Sequence, residues 1–197
     1  MTAAPTLALP RFGRAEPALP GGRAALLAEV SLRLVRGDDP DRVVLPAVYD
    51  ELESAGIIDG MVAFIASPTD EVLHLGTLRG FDESMARRCA RLDFGEAICG
   101  LVARLREPMH VTDIQRSLDP RADLVRGEGV NAYASQPLLV GDRLVGTLSF
   151  ASRSRRSFTS EQLTLFRDIA RLIAAARERQ SAGGSNAGRR AWLALEC

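Results

Sequence analysis

The sequence has no lysine, few aromatic side chains and no excess of charge of either sign. All 25 basic residues are arginine, and they balance 25 acidic residues to a formal net charge of zero. A chain without a positive surplus lacks the electrostatic footprint of a nucleic-acid or anionic-lipid binder. No apolar run approaches the ~20 residues that a membrane-spanning helix needs. We therefore expect neither a nucleic-acid partner nor a membrane.

Cysteine and histidine are also scarce. The three cysteines, Cys89, Cys99 and Cys197, are odd in number and unrelated in spacing. This pattern argues against a disulfide framework and for a reducing compartment. The N-terminus lacks a charged start followed by an apolar stretch, so it does not resemble a signal peptide. We predict a cytoplasmic protein. Neither of the two histidines pairs with a cysteine at zinc spacing, and we predict no metal site.

The length suits one domain with a buried core. Of 197 residues, 46% are apolar, which is the balance of an ordinary globular protein. Proline and glycine are concentrated in residues 1–22, which we predict to be a flexible arm. The stretch SAGGSNAG opens a second flexible region, 181–197, which is either a tail or a linker cut short. The domain itself should span 23–180.

Within that domain, hydrophobic periodicity predicts helices and strands in the order α, β, α. Gly141 and Asp142 form a two-residue turn signal between two apolar runs, which predicts a hairpin. A long connection should follow the short strand that ends at residue 113. The other predicted elements are helices near 23–36 and 38–56, a hairpin over 61–67 and 71–78, a short helix in DESMARRCARL, another in AICGLVARLRE, and a closing helix over 159–180.

The closing helix has an unusually wide apolar arc, covering more than half its circumference. A helix that packs only on its own sheet needs a stripe of about 100°. The excess indicates a second partner, which is either the same helix of another subunit or the helix near 23–36. A helix sandwiched within one fold fits equally well.

Five short strings, in order, resemble the GAF family over residues 23–180. They are GEAICGLVA at 95–103, EPMHVTD at 107–113, GVNAYASQPL at 129–138, GDRLVGTLSF at 141–150 and FTSE at 158–161. The resemblance implies an α+β fold with a central antiparallel sheet of about five or six strands. It also implies terminal helices on one face, with short helices and the 113–129 connection over a pocket on the other.

The resemblance further implies a sensory module that binds a small effector and signals through its terminal helices. Such a module catalyses nothing, forms a homodimer through those helices and acts on a possible downstream signalling domain; the effector and any cofactor stay unidentified. The candidate ligand-binding residues combine an aromatic surface with a few polar groups near strand ends, as small-molecule sites usually do. They are Phe64, Cys99, Asp113, Tyr133, Ser135 and Thr147.

Two alternatives stay open at this point. The chain resembles the free methionine sulfoxide reductases in having a cysteine, Cys99, before Gly100. Those enzymes also need a nucleophilic cysteine in the segment that matches 113–129, and this segment has none. We therefore interpret Cys99 as a small buried wall residue, with redox sensing as its alternative role. The other alternative is an interaction module whose pocket is filled by its own side chains.

Three smaller predictions concern backbone and charge. Gly146 should allow another group to approach a central strand closely, and Asp113 should cap the turn that follows it. Arg121 and Arg126 either pair with an anionic ligand or are loop charges balanced by neighbouring acids. Those acids are Asp119, Asp123 and Glu128.

Overall fold

The computed structural model describes residues 19, 21–67 and 69–193, with side chains as far as residue 181. Most of the predicted arm at 1–22, and residues 194–197 of the predicted tail, lie outside this range. The domain boundaries at 22 and 180 therefore remain predictions. In the described part of the chain, no helix is both long enough and apolar enough to cross a membrane.

Helices frame a single sheet. A π-helical turn at Pro40–Val44 precedes the second helix, and short 3₁₀ turns at Ile114–Arg116 and Pro120–Ala122 lie in the long connection. The helices are α1 (Gly22–Arg36), α2 (Leu45–Ser54), α3 (Glu83–Arg88), α4 (Ala97–Leu105), α5 (Asp123–Arg126) and α6 (Ser160–Leu193). The strands are β1 (Gly60–Ser67), β2 (Val72–Arg79), β3 (Arg91–Asp93), β4 (Met109–Val111), β5 (Ala132–Val140) and β6 (Arg143–Ser152).

The six strands form one antiparallel sheet in the order β3-β2-β1-β6-β5-β4, which confirms the predicted fold class. Both predicted hairpins are present. The prediction of one short helix in DESMARRCARL was wrong in its second half, because the helix ends at Arg88 and the strand β3 follows. A three-residue strand is too short to show alternation in sequence, and it exists because its backbone pairs with β2.

Helices α1, α2 and α6 cover one face of the sheet, which we name the α6 face. Phe166 of α6 stacks on Phe150 of β6 with ring centroids 4.0 Å apart. Phe158 meets the Phe166 ring edge-on at 5.1 Å. Helix α6 also packs along α1 of the same chain. The wide apolar arc is therefore used within one fold, by the sheet and by the predicted N-terminal helix.

The start of α6 is fixed by a reciprocal pair of side-chain contacts. The Thr159 hydroxyl accepts a hydrogen bond from the Gln162 N–H at 3.3 Å, and the Gln162 side chain accepts one from the Thr159 N–H at 3.0 Å. This capping box satisfies two donors that the first helical turn leaves free. The helix then continues to Leu193, beyond the predicted domain end at 180.

Helices α3, α4 and α5, together with the 113–129 connection, cover the other face, which we name the α4 face. Gly100 lets α4 approach the end of the preceding strand, because a Cβ there would lie 2.3 Å from the carbonyl oxygen of Asp93, the last residue of β3. Buried apolar side chains from the sheet and from these helices form a second core on this face. The sheet thus separates two cores.

Candidate functional site

Polar side chains lie on the α4 face of the two longest strands. Tyr133 and Ser135 of β5 are buried beside Thr147 and Ser149 of β6, with Ser135 directly opposite Ser149 in the strand pairing. Because side chains alternate along a strand, the apolar neighbours of these residues point instead to the α6 face. A band of hydroxyl groups therefore crosses the middle of the α4 face.

Three of these residues, Tyr133, Ser135 and Ser149, form one hydrogen-bonded chain with a cysteine of α4, and we name this chain the buried polar cluster. Cys99 Sγ lies 3.1 Å from the Tyr133 hydroxyl and 3.3 Å from the Ser149 hydroxyl. Ser149 in turn donates to Ser135 Oγ at 2.9 Å. Three of the predicted site residues are thus brought together. Ser149 was missed, although the alternation that groups Tyr133 with Ser135 also groups Ser149 with Thr147.

The cluster is neutral at physiological pH. Burial raises the pKa of the Cys99 thiol, and the hydrogen bonds from Ser149 and Tyr133 oppose this rise only in part. Burial likewise raises the pKa of the Tyr133 phenol well above its usual value. Burial also raises the pKa of Cys89, the second described cysteine, to about 11. These thiols are protonated, and a protonated thiol is a poor nucleophile.

Phe64 and Thr147 face each other across the β1–β6 pairing. The Phe64 ring is part of the apolar core on the α4 face. The Thr147 hydroxyl is fully buried and has no hydrogen-bond partner among the described residues. A buried hydroxyl without a partner is uncommon in folded proteins.

Asp113 lies apart from the other five predicted site residues. Its carboxylate is held by the Arg156 guanidinium in the loop before α6, and its N–H donates to the Arg156 carbonyl at 3.1 Å. The prediction that Asp113 caps the next turn was wrong, because no side-chain cap is formed there. The hydrogen bond from Arg156 lowers the pKa of Asp113. Asp113 joins the 113–129 connection to the α6 loop.

An open cleft lies outside the cluster, between the 113–129 connection and the segment that leads from α3 into α4. Its volume is about 350 Å³. Leu92 lines the cleft and also belongs to the buried core that contains Cys99 and Tyr133. The cleft therefore lies next to that core, although none of the six predicted residues lines it. Its walls are Arg88, Leu92, Glu96, Ala97, Pro120, Arg121, Asp123 and Leu124.

Three of the four charged side chains that line the cleft, Arg88, Arg121 and Asp123, are each paired with an oppositely charged neighbour. Arg121 contacts Asp119 at 2.7 Å, and Arg126 pairs with Asp123. Arg88 of α3 pairs with Glu128, so an ion pair also joins the connection to α3. Arg121 and Arg126 are therefore loop charges that neighbouring acids balance, which is one of the two interpretations from the sequence. Among the residues described, no three His, Cys, Asp or Glu side chains come together as a metal site.

Several solved structures share this fold. The GAF domain of a phosphoenolpyruvate-protein phosphotransferase from Coxiella burnetii is 21% identical, with a TM-score of 0.70 over 83% of this chain and 96% of that one. The free methionine-R-sulfoxide reductase of Neisseria meningitidis, solved with its substrate, is 17% identical, with a TM-score of 0.66 over 82% and 92%. The A. aeolicus nlh2 GAF domain in an inactive state is 15% identical, with a TM-score of 0.60 over 80% and 96%.

At these identities the likeness concerns the fold, which regulatory domains and an enzyme share. No curated protein matches the sequence. The GAF domain family model matches residues 41–178, from the turn before α2 into α6, and this is more than half of the chain. The chain therefore belongs to the GAF domain family, whose members are in general sensory or regulatory modules.

Proposed function

We propose that this domain is a regulatory module that binds a small polar effector in the cleft and passes the change to its terminal helices. The cleft of about 350 Å³ on the α4 face carries this proposal. Its size suits a small metabolite, and three separate segments of the chain form its walls. An effector that touches all three would change how the connection packs over the sheet.

The walls favour an effector with polar groups of both signs. Arg88 and Arg121 bring positive charge, and Glu96 and Asp123 bring negative charge. Helix α4 begins at the cleft without a side-chain cap, because the Glu96 carboxylate accepts the Asp93 N–H instead. The first-turn N–H groups of a helix are free to bind an acceptor on a ligand. An effector with a carboxylate and an amine fits this combination.

We propose further that the module catalyses no reaction and works in a reducing compartment such as the cytoplasm. The 113–129 connection, where the related reductases need a nucleophilic cysteine, contains none. Cys89 and Cys99 are unbridged and buried, and burial raises the pKa of both. A turnover assay with free methionine sulfoxide and dithiothreitol tests this directly. Consumption of the sulfoxide by the purified protein would make it an enzyme.

The effector proposal predicts that filling the cleft abolishes binding. Leu124→Trp puts a larger side chain on the cleft wall, whereas Leu118→Trp makes the same change on the same connection at a residue that is 95% exposed and does not line the cleft. Native mass spectrometry of freshly purified full-length protein would show a co-purified molecule. Thermal-shift titrations with methionine, methionine sulfoxide and cyclic GMP would then test defined probes.

We expect the Leu118→Trp variant to retain any co-purified molecule or thermal shift and the Leu124→Trp variant to lose it. Equal binding by the two variants would remove the cleft as the site. If no molecule co-purifies and no probe shifts the melting temperature, the alternative hypothesis of an interaction module without a ligand is favoured.

We also propose a homodimer that forms through α1. As far as residue 181, the exposed residues of α6 are charged or polar apart from Ala175, but α1 exposes an apolar stripe with the 3-4-3 spacing of a coiled-coil seam. Leu32 and Val35 are 43% and 82% exposed. The stripe consists of Ala25, Ala28, Leu32 and Val35. A second copy that covers this stripe would place the helices of two domains side by side, where a downstream signalling domain can read their arrangement.

The oligomeric state tests the dimer. Leu32→Glu and Val35→Glu place a charge on the stripe, and Ala175→Glu places the same charge on the exposed side of α6. By light scattering after size exclusion, we expect a dimer for the wild type and for Ala175→Glu, and a monomer for the two stripe variants. A monomeric wild type would end the dimer proposal.

A further inference from the structure

Arg177 of α6 is a buried charged residue that reaches the sheet. It is 7% exposed, and its Nη1 donates to the Phe64 carbonyl oxygen at 2.6 Å. Its Nε donates to an Asp41 carboxylate oxygen at 3.1 Å, and its Nη2 binds the other oxygen of the same carboxylate. A buried guanidinium is tolerated only with such partners. Helix α6 is thus attached to β1 and to the turn before α2 at one point.

One irregularity in the sheet makes room for the guanidinium, and a second lies beside Asp41. The register of β5 against β6 shifts between Leu138 and Leu139, which leaves Val145 as an extra residue. Its carbonyl lies 3.5 Å from Arg177 Nη1. The next residue, Gly146, has no side chain where one would collide: a Cβ there would lie 2.4 Å from Arg177 Nη1. This is the close approach that the sequence predicts for Gly146.

The second irregularity lies beside Asp41. The register of β1 against β2 shifts between Ala63 and Phe64, which leaves Gly76 as the extra residue. A Cβ on Gly76 would lie 3.5 Å from an Asp41 carboxylate oxygen. The neighbouring Thr77 hydroxyl donates to the Asp41 carbonyl at 2.9 Å. The β1–β2 and β5–β6 hairpins therefore each carry a bulge beside one member of the ion pair. Bulges commonly change the direction of nearby groups.

Phe64 connects this ion pair to the other face of the sheet. Its carbonyl oxygen binds Arg177, while its ring packs in the core of the α4 face. Its partner in β6 is Thr147, whose hydroxyl has no partner among the described residues. A rearrangement on the α4 face that moves the Phe64 backbone must therefore move Arg177 with it or break a buried hydrogen bond.

We propose that the Arg177–Asp41 pair is a latch that couples the packing of the α4 face to the position of α6. The proposal rests on the proposed function, since it describes how an effector bound on the α4 face reaches the terminal helix. The pair has the two properties that such a coupling needs. First, Arg177 binds the carbonyl of Phe64 in β1, whose ring lies in the core of the α4 face. Second, Arg177 belongs to the C-terminal half of the described part of α6.

The test needs no effector, because a mutation on the α4 face serves as the perturbation. Phe64→Leu changes only the ring, which lies on that face. Met85→Ala is the control, because Met85 of α3 lies in the same core but not on β1. Each is made in the wild-type chain and in a latch-free chain that carries Asp41→Leu and Arg177→Met. Replacing both members of a buried pair by apolar residues often preserves stability, whereas removing one does not.

The readout is amide hydrogen exchange along residues 165–181 relative to exchange in β4, so that a global loss of stability cancels. In the wild-type chain we expect Phe64→Leu to raise the relative exchange of α6 roughly twofold or more, the range of coupling between residues in contact. In the latch-free chain this effect should disappear. Met85→Ala should leave the relative exchange of α6 unchanged in both chains.

An equal effect of Phe64→Leu in both chains, or no effect in either, would overturn the latch. Should the latch-free chain fail to fold, Arg177→Lys replaces it: a single ammonium cannot reproduce the two-pronged contact with Asp41 while reaching the Phe64 carbonyl. An equal effect of Phe64→Leu in the wild-type and Arg177→Lys chains, or no effect in either, would then overturn the latch. Failure of the cleft to bind any probe would count against the proposed function and would leave the exchange result standing.

Discussion

The Cys99 thiol lies 3.1 Å from the Tyr133 hydroxyl, and both side chains are buried between α4 and the sheet. Burial raises the pKa of each group, so the hydrogen bond joins two neutral partners. Ionising either one would place an unpaired charge in an apolar core. The centre of the α4 face is thus polar in composition but uncharged, and it resists thiol chemistry.

We predict that Cys89 and Cys99 react very slowly with iodoacetamide in the native protein. A cysteine with a pKa of about 11, as for Cys89, has roughly one thiolate per thousand molecules at pH 8, against about a quarter for an unperturbed cysteine. Alkylation should therefore be at least ~100-fold slower than for a free thiol. Peptide mass spectrometry of a Cys197→Ser variant measures this, with the denatured protein as the control. Rapid native labelling of Cys99 would instead make it a redox-sensing residue.

The same pKa values predict that the domain loses stability at alkaline pH. An unfolded cysteine ionises near pH 8.5, but folded Cys89 stays protonated up to about 11. Between these values the unfolded chain binds fewer protons than the folded one, so the free energy of unfolding falls as pH rises. The slope is at most ~1.4 kcal/mol per pH unit for each thiol, and it vanishes below about pH 8.

Urea denaturation at pH 7, 8.5, 9.5 and 10.5 measures this dependence. The variant Cys89→Ala should be less stable than the wild type at pH 7 but should show a shallower decline above pH 8.5. An identical decline in the two proteins would mean that Cys89 is not among the groups responsible.

Two hydroxyl deletions on neighbouring positions of β6 should have opposite effects. Ser149 donates to Ser135 and bonds to Cys99, so Ser149→Ala leaves buried groups without partners and should cost about 1–3 kcal/mol. Thr147→Val keeps the shape and removes a hydroxyl that has no partner among the described residues. It should leave the free energy of unfolding unchanged or raise it by up to ~1 kcal/mol. Equal destabilisation by the two changes would show that Thr147 binds an ordered water or a ligand.

Local patterns predicted the parts of this fold that depend on neighbours in sequence. The Gly141-Asp142 turn sets the second hairpin, and alternation along β5 places Tyr133 and Ser135 on one face. Contacts between residues far apart in the chain have no such local pattern in the sequence. The partner of Asp113 is a loop arginine 43 positions away, and nothing in EPMHVTD indicates it. The cleft walls come from three segments, so its lining could not be read from any one of them.

Arg177 carries a sequence signal of its own. It follows Ile173 by four residues and so lies on the buried arc of α6, where an arginine is out of place. That position signals a buried charge and therefore a partner. Its partner, Asp41, is 136 residues away, and no sequence pattern identifies it. The one sequence feature that indicated this contact was Gly146, which predicted a close approach to the strand where the guanidinium lies.

Gly146→Ala should be among the most destabilising single substitutions in the domain. The added Cβ would lie 2.0 Å from the Phe64 carbonyl oxygen and 2.4 Å from Arg177 Nη1. Neither atom can move without breaking the hydrogen bond between them, so we expect a loss of about 3 kcal/mol or more. Gly127→Ala is the matched control, because Gly127 is helical and its Cβ would have no neighbour nearer than 3.5 Å. That change should be neutral or stabilise by up to ~1 kcal/mol.

Urea denaturation of the two alanine variants decides this prediction, and a third protein separates its causes. In Gly146→Ala combined with Asp41→Leu and Arg177→Met, the guanidinium is gone without leaving Asp41 unpaired, but the Phe64 carbonyl remains, so stability should not return to that of the chain with Asp41→Leu and Arg177→Met alone. If the combined variant does recover, the clash with Arg177 alone explains the cost. If Gly146→Ala behaves like Gly127→Ala, the sheet is looser at this point than the contacts of Arg177 require.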